Sequence, residues 1–213
     1  MFSLATKTIL QDTNIYLVGT TYSSNSTTIT LPSYIRPDDV IVIMSYSDFE
    51  SGPSVPTGYT EGQRGSANDV GYMWSYKVMT NPVDTTASGL SQQSYIGHIA
   101  MAFRNVDTSN VLDVASPTRS TGSGLPNPPS ITTLNKSCVV GLGYLENSIL
   151  TDIGAPSGYS LAGSGTAGVP GTGGTGMACY LLGDAGIYNP DAFTSASGGS
   201  GWVSTTLALR QKQ

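Results

Sequence analysis

The chain has little charge, a single histidine and no long apolar run. Charged residues make up 11% of its 213 positions, against roughly a quarter in ordinary globular proteins. The 9 basic and 14 acidic residues give a net charge of −5, and the basic residues are scattered singly. Binding to nucleic-acid phosphates or to an anionic membrane needs clustered Lys and Arg, so we expect neither partner. No stretch approaches the length of a transmembrane helix.

The first residues also lack the features of a secretory signal. Met1–Asn14 reads MFSLATKTILQDTN, with neither a charged n-region nor a sustained apolar h-region. The sequence therefore predicts a protein that is not exported by the ordinary signal-peptide route.

The two cysteines offer no obvious metal site. Cys138 and Cys179 lie within apolar runs, without further thiols or histidines at ligand spacing. Buried free thiols are favoured over a disulfide, although spacing alone does not decide between them. We expect no metal and no cofactor.

Alternating apolar and polar residues, separated by clusters of Gly, Ser, Pro and Asn, run through the whole chain. No helical periodicity persists, so the pattern predicts an all-β protein, a jelly-roll-like antiparallel β-sandwich. The predicted strands are Ile15 to Tyr22, Thr27 to Leu31, Val40 to Ser47, Gly71 to Val78, Tyr95 to Arg104, Ser130 to Thr133, Ser137 to Leu145, Met177 to Leu182 and Gly201 to Leu209. The strands from Val40 and from Tyr95 carry apolar residues on both faces, which predicts central strands of a covered sheet.

Four blocks of the first half recur in the same order in the second half. They pair Val40, Val42, Met44 and Tyr46 with Cys138, Val140, Leu142 and Tyr144; Pro56 to Thr60 with Pro156 to Ser160; Gly71 to Tyr76 with Thr175 to Tyr180; and Met101 to Arg104 with Leu207 to Arg210. We interpret residues 1–35 as an N-terminal arm and first strands. Residues 36–213 then form one sandwich of two repeats, about 38–105 and 136–211, joined by a connector over 106–135. Two separate small domains are the alternative.

Three groups of residues suggest chemistry, and each has a plainer interpretation. His98 lies in the middle of a predicted strand, where a locally hydrogen-bonded histidine is favoured over a Ser-His-Asp site. The glutamates Glu50, Glu61 and Glu146 are interpreted as solvated acids and not as a glycosidase pair. The stretch from Asp107 to Asn110, with Asp113, has oxygen ligands at short spacing, but turn-closing side chains are favoured over calcium binding.

The run from Ala162 to Gly176, AGSGTAGVPGTGGTG, lacks the ending of a phosphate-binding loop. We expect it to form a long surface loop.

Five aromatic residues are candidates for contacts with a glycan or a protein partner: Tyr59, Tyr159, Tyr72, Trp74 and Trp202. Their rings offer flat faces for stacking on sugars, whereas packing in the core is the more ordinary role of aromatic residues in a sandwich.

The segments DDVIVIMSYS, PTGYTEG, MWSYKV and IAMAFRNVDTSNVLD resemble a class of β-sandwich proteins of tailed bacteriophages, found as capsid decoration, fibre or tail-associated proteins. The resemblance runs from Val40 to Arg210 and carries no active site.

The resemblance implies a non-enzymatic structural component of the virion, made in the host cytoplasm. Its partners would be the major capsid protein or other virion proteins, and copies of itself. Met1–Asn14 is the candidate for an arm that contacts the shell or a sister subunit. The alternative is a carbohydrate-binding module that recognises a host surface glycan.

Overall fold

The computed structural model describes residues 13–48, 52–67, 70–91, 95–117, 120–169, 172–197 and 199–213. These residues form strands and connecting turns, and no helix is found among them. The strands are β1 (Tyr16–Ser24), β2 (Thr28–Thr30), β3 (Val40–Ser47), β4 (Thr60–Ala67), β5 (Val70–Val78), β6 (Thr86–Ser88), β7 (Ile96–Arg104), β8 (Ser120–Gly124), β9 (Ile131–Thr133), β10 (Ser137–Glu146), β11 (Ser160–Val169), β12 (Thr172–Gly183), β13 (Gly186–Tyr188) and β14 (Gly199–Arg210). The predicted all-β class is confirmed.

Each half of the chain builds one five-stranded antiparallel sheet. The first sheet has the order β1-β7-β3-β5-β4, and the second has the order β8-β14-β10-β12-β11. If β8 to β14 are matched in turn to β1 to β7, the two orders are identical. A two-stranded ribbon accompanies each sheet, β2 with β6 in the first half and β9 with β13 in the second.

The two sheets pack face to face around one shared core. The inward side chains of the central strands β3 and β10 meet there. They are Val40, Val42, Met44 and Tyr46 on one side and Cys138, Val140, Leu142 and Tyr144 on the other. The fold is therefore an antiparallel β-sandwich of the predicted jelly-roll-like kind, in which each sheet comes from one half of the chain.

The outer face of each sheet is covered as well. In the first half, Ile41 and Ile43 of β3 pack beneath Ile29 of β2 and Ala87 of β6. In the second half, Val139 of β10 packs with Ile131 of β9 and Ala208 of β14, among others. The apolar character of both faces of the strand from Val40, noted from its sequence, is explained by this double burial.

The same turn and bulge recur in both halves. Tyr59 donates its backbone N–H to Pro56 at 3.1 Å, and Tyr159 donates to Pro156 at 3.0 Å. Gly58 and Gly158 have φ angles of 78° and 81°, a backbone conformation that favours glycine. A bulge then shifts the register between Glu61 and Gln63 in β4 and between Leu161 and Gly163 in β11. The halves thus share strand order, turn and bulge, while the sequence repeat itself stays a prediction.

The glycine-rich run was expected to be a loop, and that prediction is wrong. Its residues lie in the paired strands β11 and β12, apart from 170–171, which fall outside the described residues. The predicted connector over 106–135 also contains strands, since β8 pairs with β14 and β9 pairs with β13.

Glycine is used in this hairpin because side chains of the opposite sheet press against it. A Cβ at Gly165 would overlap the ring of Tyr22, and one at Gly176 would overlap the ring of Tyr46. The hydroxyl of Tyr46 donates to the carbonyl of Gly165 at 2.6 Å. The glycines therefore allow the two sheets to approach closely.

Candidate functional site

An ion pair with two parallel hydrogen bonds organises one end of the first sheet. Arg104 ends β7 and donates from Nε to Oδ1 of Asp39 at 2.8 Å and from Nη2 to Oδ2 at 2.7 Å. The Asp39 side chain is 1% exposed, and its Oδ2 also accepts the backbone N–H of Arg36 at 2.7 Å. These bonds raise the pKa of the Arg104 guanidinium above its usual range. A buried carboxylate held in this way fixes the loop around it.

That loop, residues 32–39 and here called the Tyr34 loop, connects the β2 region to β3. Tyr34 has a φ angle of 67° and its side chain is 87% exposed, and Asp38 has a φ angle of 70°. Arg104 Nη2 donates to the Tyr34 carbonyl at 2.9 Å, which holds the backbone in place. Non-glycine residues at positive φ concentrate at functional sites, where surrounding structure maintains the strain.

Two clefts lie along this loop. A cleft of about 220 Å³ is polar and is lined by Arg36, Asp38, Arg104, Asn105 and Lys212, among others. A second cleft of about 300 Å³ has a more apolar lining. Its lining includes Leu31, Tyr34, Ile35 and Val83, with Ser33, Asp84 and Thr85 as polar members. Pockets with an apolar wall and a few polar groups are typical of ligand sites.

His98 makes local hydrogen bonds at a buried position of β7. The hydroxyl of Ser45 donates to Nδ1, with 2.8 Å between the two atoms, and Nε2 donates to the Ser26 carbonyl at 3.1 Å. Burial lowers the pKa of His98 to about 4. Both ring nitrogens of His98 are hydrogen-bonded and its side chain is buried. A substrate therefore has no access to the contact between Ser45 and His98.

The five aromatic residues predicted as contacts are placed mostly inside the sandwich. Tyr72, Trp74 and Trp202 are buried. Tyr59 and Tyr159 are half-buried, and both hydroxyls are enclosed without a hydrogen-bond partner in the described part of the chain. Lys77 Nζ also lies 5.7 Å from the centre of the Tyr59 ring. The three buried rings therefore present no exposed face on which a sugar could stack.

The acidic residues considered for catalysis or calcium binding are not brought together. Glu61 pairs with Arg64 at 3.0 Å, Glu146 accepts a hydrogen bond from Asn147, and Glu50 lies outside the described residues. Asp107 accepts backbone hydrogen bonds from residues 109 and 110, as expected of a turn-closing side chain. Within the described ranges no group of three or more His, Cys, Asp or Glu could hold a metal ion.

The two cysteines are buried and free. Cys138 lies in the core between the sheets, whereas Cys179 lies on the outer face of the second sheet with Phe193 and Trp202. Burial raises the pKa of the Cys179 thiol to about 12 and raises that of Cys138 further. The predicted free thiols are confirmed.

An exposed apolar pair lies on the ribbon outside the second sheet, here called the Leu134/Ile187 patch. Ile187 is 78% exposed and Leu134 is 70% exposed. Ile187 pairs with Thr132 of β9, and Leu134 follows directly after the last residue of that strand. The Asp113 carboxylate accepts the Leu134 backbone N–H at 2.6 Å and the Asn135 N–H at 3.2 Å, which fixes Leu134 in position.

Asn14, near the start of the described chain, is bound by Lys136, which follows Leu134 in the segment before β10. Residues 1–12 lie outside the described residues, and Asn14 marks the point where the described chain begins to contact the fold. Asn105 Nδ2 donates to the Asn14 carbonyl at 2.9 Å, and Lys136 Nζ donates to its Oδ1 at 2.7 Å. Lys136 follows Leu134 by two residues.

Sequence reasoning missed both the Tyr34 loop and the Leu134/Ile187 patch. The segment LPSYIRPDD carries turn residues, but the tertiary bonds that hold it, from Arg104 to the Tyr34 carbonyl and from the Asp38 N–H to Met79, join distant parts of the chain. Ile187 lies in a three-residue strand, which is too short to show alternation.

Fold and surface together define an all-β sandwich protein with surface clefts and an exposed apolar patch. No protein family, curated protein or solved structure matches this chain. No helix in the described ranges is long and apolar enough to cross a bilayer.

Proposed function

We propose that this chain is a non-enzymatic structural component of a phage particle, a capsid decoration or head-fibre protein that acts through protein–protein contacts. Its partners in this proposal are the major capsid protein or another virion protein, and copies of itself. The assignment to a phage particle rests on the sequence resemblance to β-sandwich proteins of tailed bacteriophages. The observation that carries the contact role is the rigidly held Leu134/Ile187 patch.

The patch has the character of an interaction surface. Two large aliphatic side chains are 70% and 78% exposed, one in strand β13 and the other directly after strand β9, which pairs with β13. The Thr133 hydroxyl accepts the Gly186 N–H at 3.1 Å, which ties the two strands of the ribbon together beside the patch. Apolar surface that is ordered before binding contributes its burial with little further loss of conformational entropy.

The root of the N-terminal arm supports the same surface. Lys136, two residues beyond Leu134 in the chain, donates to the side chain of Asn14, the last residue of the candidate arm. Arm and patch therefore form one contiguous region of attachment in this proposal.

The test is reconstitution of particles that lack the protein. Wild-type protein is expected to co-sediment with them, and the double change Leu134→Glu and Ile187→Glu is expected to abolish co-sedimentation, because the charges would be buried in the interface. Deletion of residues 1–12 is expected to abolish attachment as well, with the far-ultraviolet β signal unchanged.

The double change Tyr34→Glu and Leu161→Glu is the control, because it adds the same two negative charges on exposed side chains outside the patch. Attachment of the double variant at wild-type level would refute the role of the patch. Failure of the wild-type protein to attach would refute the proposal as a whole.

Binding of a host surface glycan is the alternative function. The exposed ring of Tyr34 and the adjoining clefts favour it, at residues other than the five aromatics predicted from the sequence.

A further inference from the structure

We propose that the two clefts of the Tyr34 loop bind an acidic saccharide, with a sugar ring stacked on Tyr34 and its carboxylate held by Arg36 and Lys212. This inference deepens the glycan alternative and does not depend on the virion role.

Tyr34 provides the stacking face. Its side chain is 87% exposed although it belongs to a loop held by a buried ion pair, so the exposure is fixed by structure. The backbone is kept at a φ angle of 67° by the hydrogen bond from Arg104. The apolar wall formed by Leu31, Ile35 and Val83 continues the surface beside the ring. The C–H face of a sugar packs well on such an amphipathic ring.

The charges of the polar cleft match a carboxylate. Arg36 and Lys212 both line it, and neither has an ion-pair partner within 4.0 Å in the described part of the chain. Arg104, the third cation of this cleft, is already committed to Asp39. Two uncommitted cations at one end of the loop attract an anionic group, and Arg36 offers a planar fork that matches carboxylate geometry.

The remaining polar groups suit hydroxyls. Asp38 lines the polar cleft, and Asp84, whose Oδ2 is paired with Lys77 at 2.6 Å, lines the apolar one. Both carboxylates accept hydrogen bonds, and a saccharide presents many hydroxyl donors. A peptide of acidic residues carries neither the C–H face that stacks on the Tyr34 ring nor the hydroxyls that these carboxylates would bind. The mixture of ring, cations and carboxylates therefore favours an acidic saccharide over an acidic peptide.

The test is direct binding to the purified full-length protein. The probes are hyaluronan and alginate oligosaccharides, the same oligosaccharides with their carboxyl groups reduced to alcohols, and a polyglutamate peptide. Binding is measured by isothermal titration calorimetry. We expect at least one acidic oligosaccharide to bind, its reduced form to bind about tenfold more weakly, and the peptide not to bind.

Variants locate the site. Tyr34→Ala is expected to weaken binding about tenfold, because the stacking face is lost. Arg36→Ala is expected to remove the preference for the acidic form over the reduced form. Leu161→Ala removes an exposed apolar side chain outside both the clefts and the Leu134/Ile187 patch, and this variant is expected to bind as the wild type does.

Three results would overturn the inference: no binding of any acidic oligosaccharide at millimolar concentration, binding that is unchanged by Tyr34→Ala, or polyglutamate binding as tightly as the saccharides. These readouts do not involve the particle. Attachment through the Leu134/Ile187 patch can therefore fail or succeed independently of them.

Discussion

The rings of Tyr46 and Tyr144 stack on each other between the two sheets, with their centroids 4.7 Å apart and their planes inclined by 26°. Tyr46 lies in β3 and Tyr144 lies at the matched place in β10, so the contact joins equivalent residues of the two halves. Both side chains are fully buried. Equivalent strands thus meet at the centre of the sandwich.

The two hydroxyls of this pair differ in hydrogen bonding, so their removal is expected to change the free energy of unfolding by different amounts. The Tyr46 hydroxyl donates to Gly165 at 2.6 Å, whereas the Tyr144 hydroxyl is buried without a partner in the described ranges. Tyr46→Phe is expected to lower the free energy of unfolding by about 1–2 kcal/mol, because a buried carbonyl loses a donor. Tyr144→Phe is expected to be neutral or stabilising, because no hydrogen bond is lost. Urea denaturation measures both, and equal effects would contradict the geometry.

The close approach of the sheets predicts that certain glycines do not tolerate alanine. Gly165→Ala is expected to lower the free energy of unfolding by about 1–3 kcal/mol, because the added methyl group overlaps the ring of Tyr22. Gly186→Ala is the matched control, since its Cβ would come no closer than 4.0 Å to Tyr188. Thermal denaturation is expected to show a lower Tm for Gly165→Ala than for Gly186→Ala. An undisturbed Gly165→Ala would mean that the sheets are farther apart than described.

His98 predicts a loss of stability on mild acidification. Its pKa is about 4 in the folded protein and 6.5 in the unfolded chain, so the folded state binds the proton less readily. Stability is therefore complete above pH 6.5 and falls as the pH drops toward 4, by about 2 kcal/mol at pH 5. His98→Gln removes this titration while leaving the carboxylates in place. Denaturation curves at pH 7.5, 6 and 5 should show a flatter pH dependence for that variant, and parallel curves would contradict the assignment.

The central strands were predictable, because burial of both faces leaves a strong sequence signal. β3 runs over Val40–Ser47 as predicted, since every side chain in it is buried. Of the four edge strands of the two sheets, β1 was predicted as Ile15 to Tyr22, whereas β4, β8 and β11 were not predicted. β4 reads TEGQRGSA and β8 reads STGSG, and neither carries an apolar alternation because an edge strand packs against few neighbours.

The glycine-rich hairpin was misread for a related physical reason. A run of glycines normally predicts a loop, but in β11 and β12 the apolar surface is supplied by Tyr22 and Tyr46 of the opposite sheet. The apolar residues that stabilise these two strands therefore belong to other segments of the chain, and the hairpin's own sequence shows no apolar alternation. Tyr46 and Tyr144, which the predicted repeat pairs, lie in the two strands predicted over Val40 to Ser47 and Ser137 to Leu145.

The candidate site was less accessible to sequence reasoning than the core. The five predicted aromatics follow from residue type, whereas accessibility depends on packing, which buries Tyr72, Trp74 and Trp202 and exposes Tyr34. The strand end containing Arg104 was noted as the end of a predicted strand, in a repeated block and in the resemblance, but not as part of a site. Its ion pair with Asp39 joins residues 65 positions apart, which no local pattern reveals.

Electron cryomicroscopy of the particle encoded with this gene tests the proposed structural role most directly. The account predicts density for the β-sandwich at regular positions on the particle, with the Leu134/Ile187 patch and the root of the N-terminal arm at Asn14 facing the neighbouring subunit. Complete particles without this density, or density in which the patch faces solvent, would contradict the account.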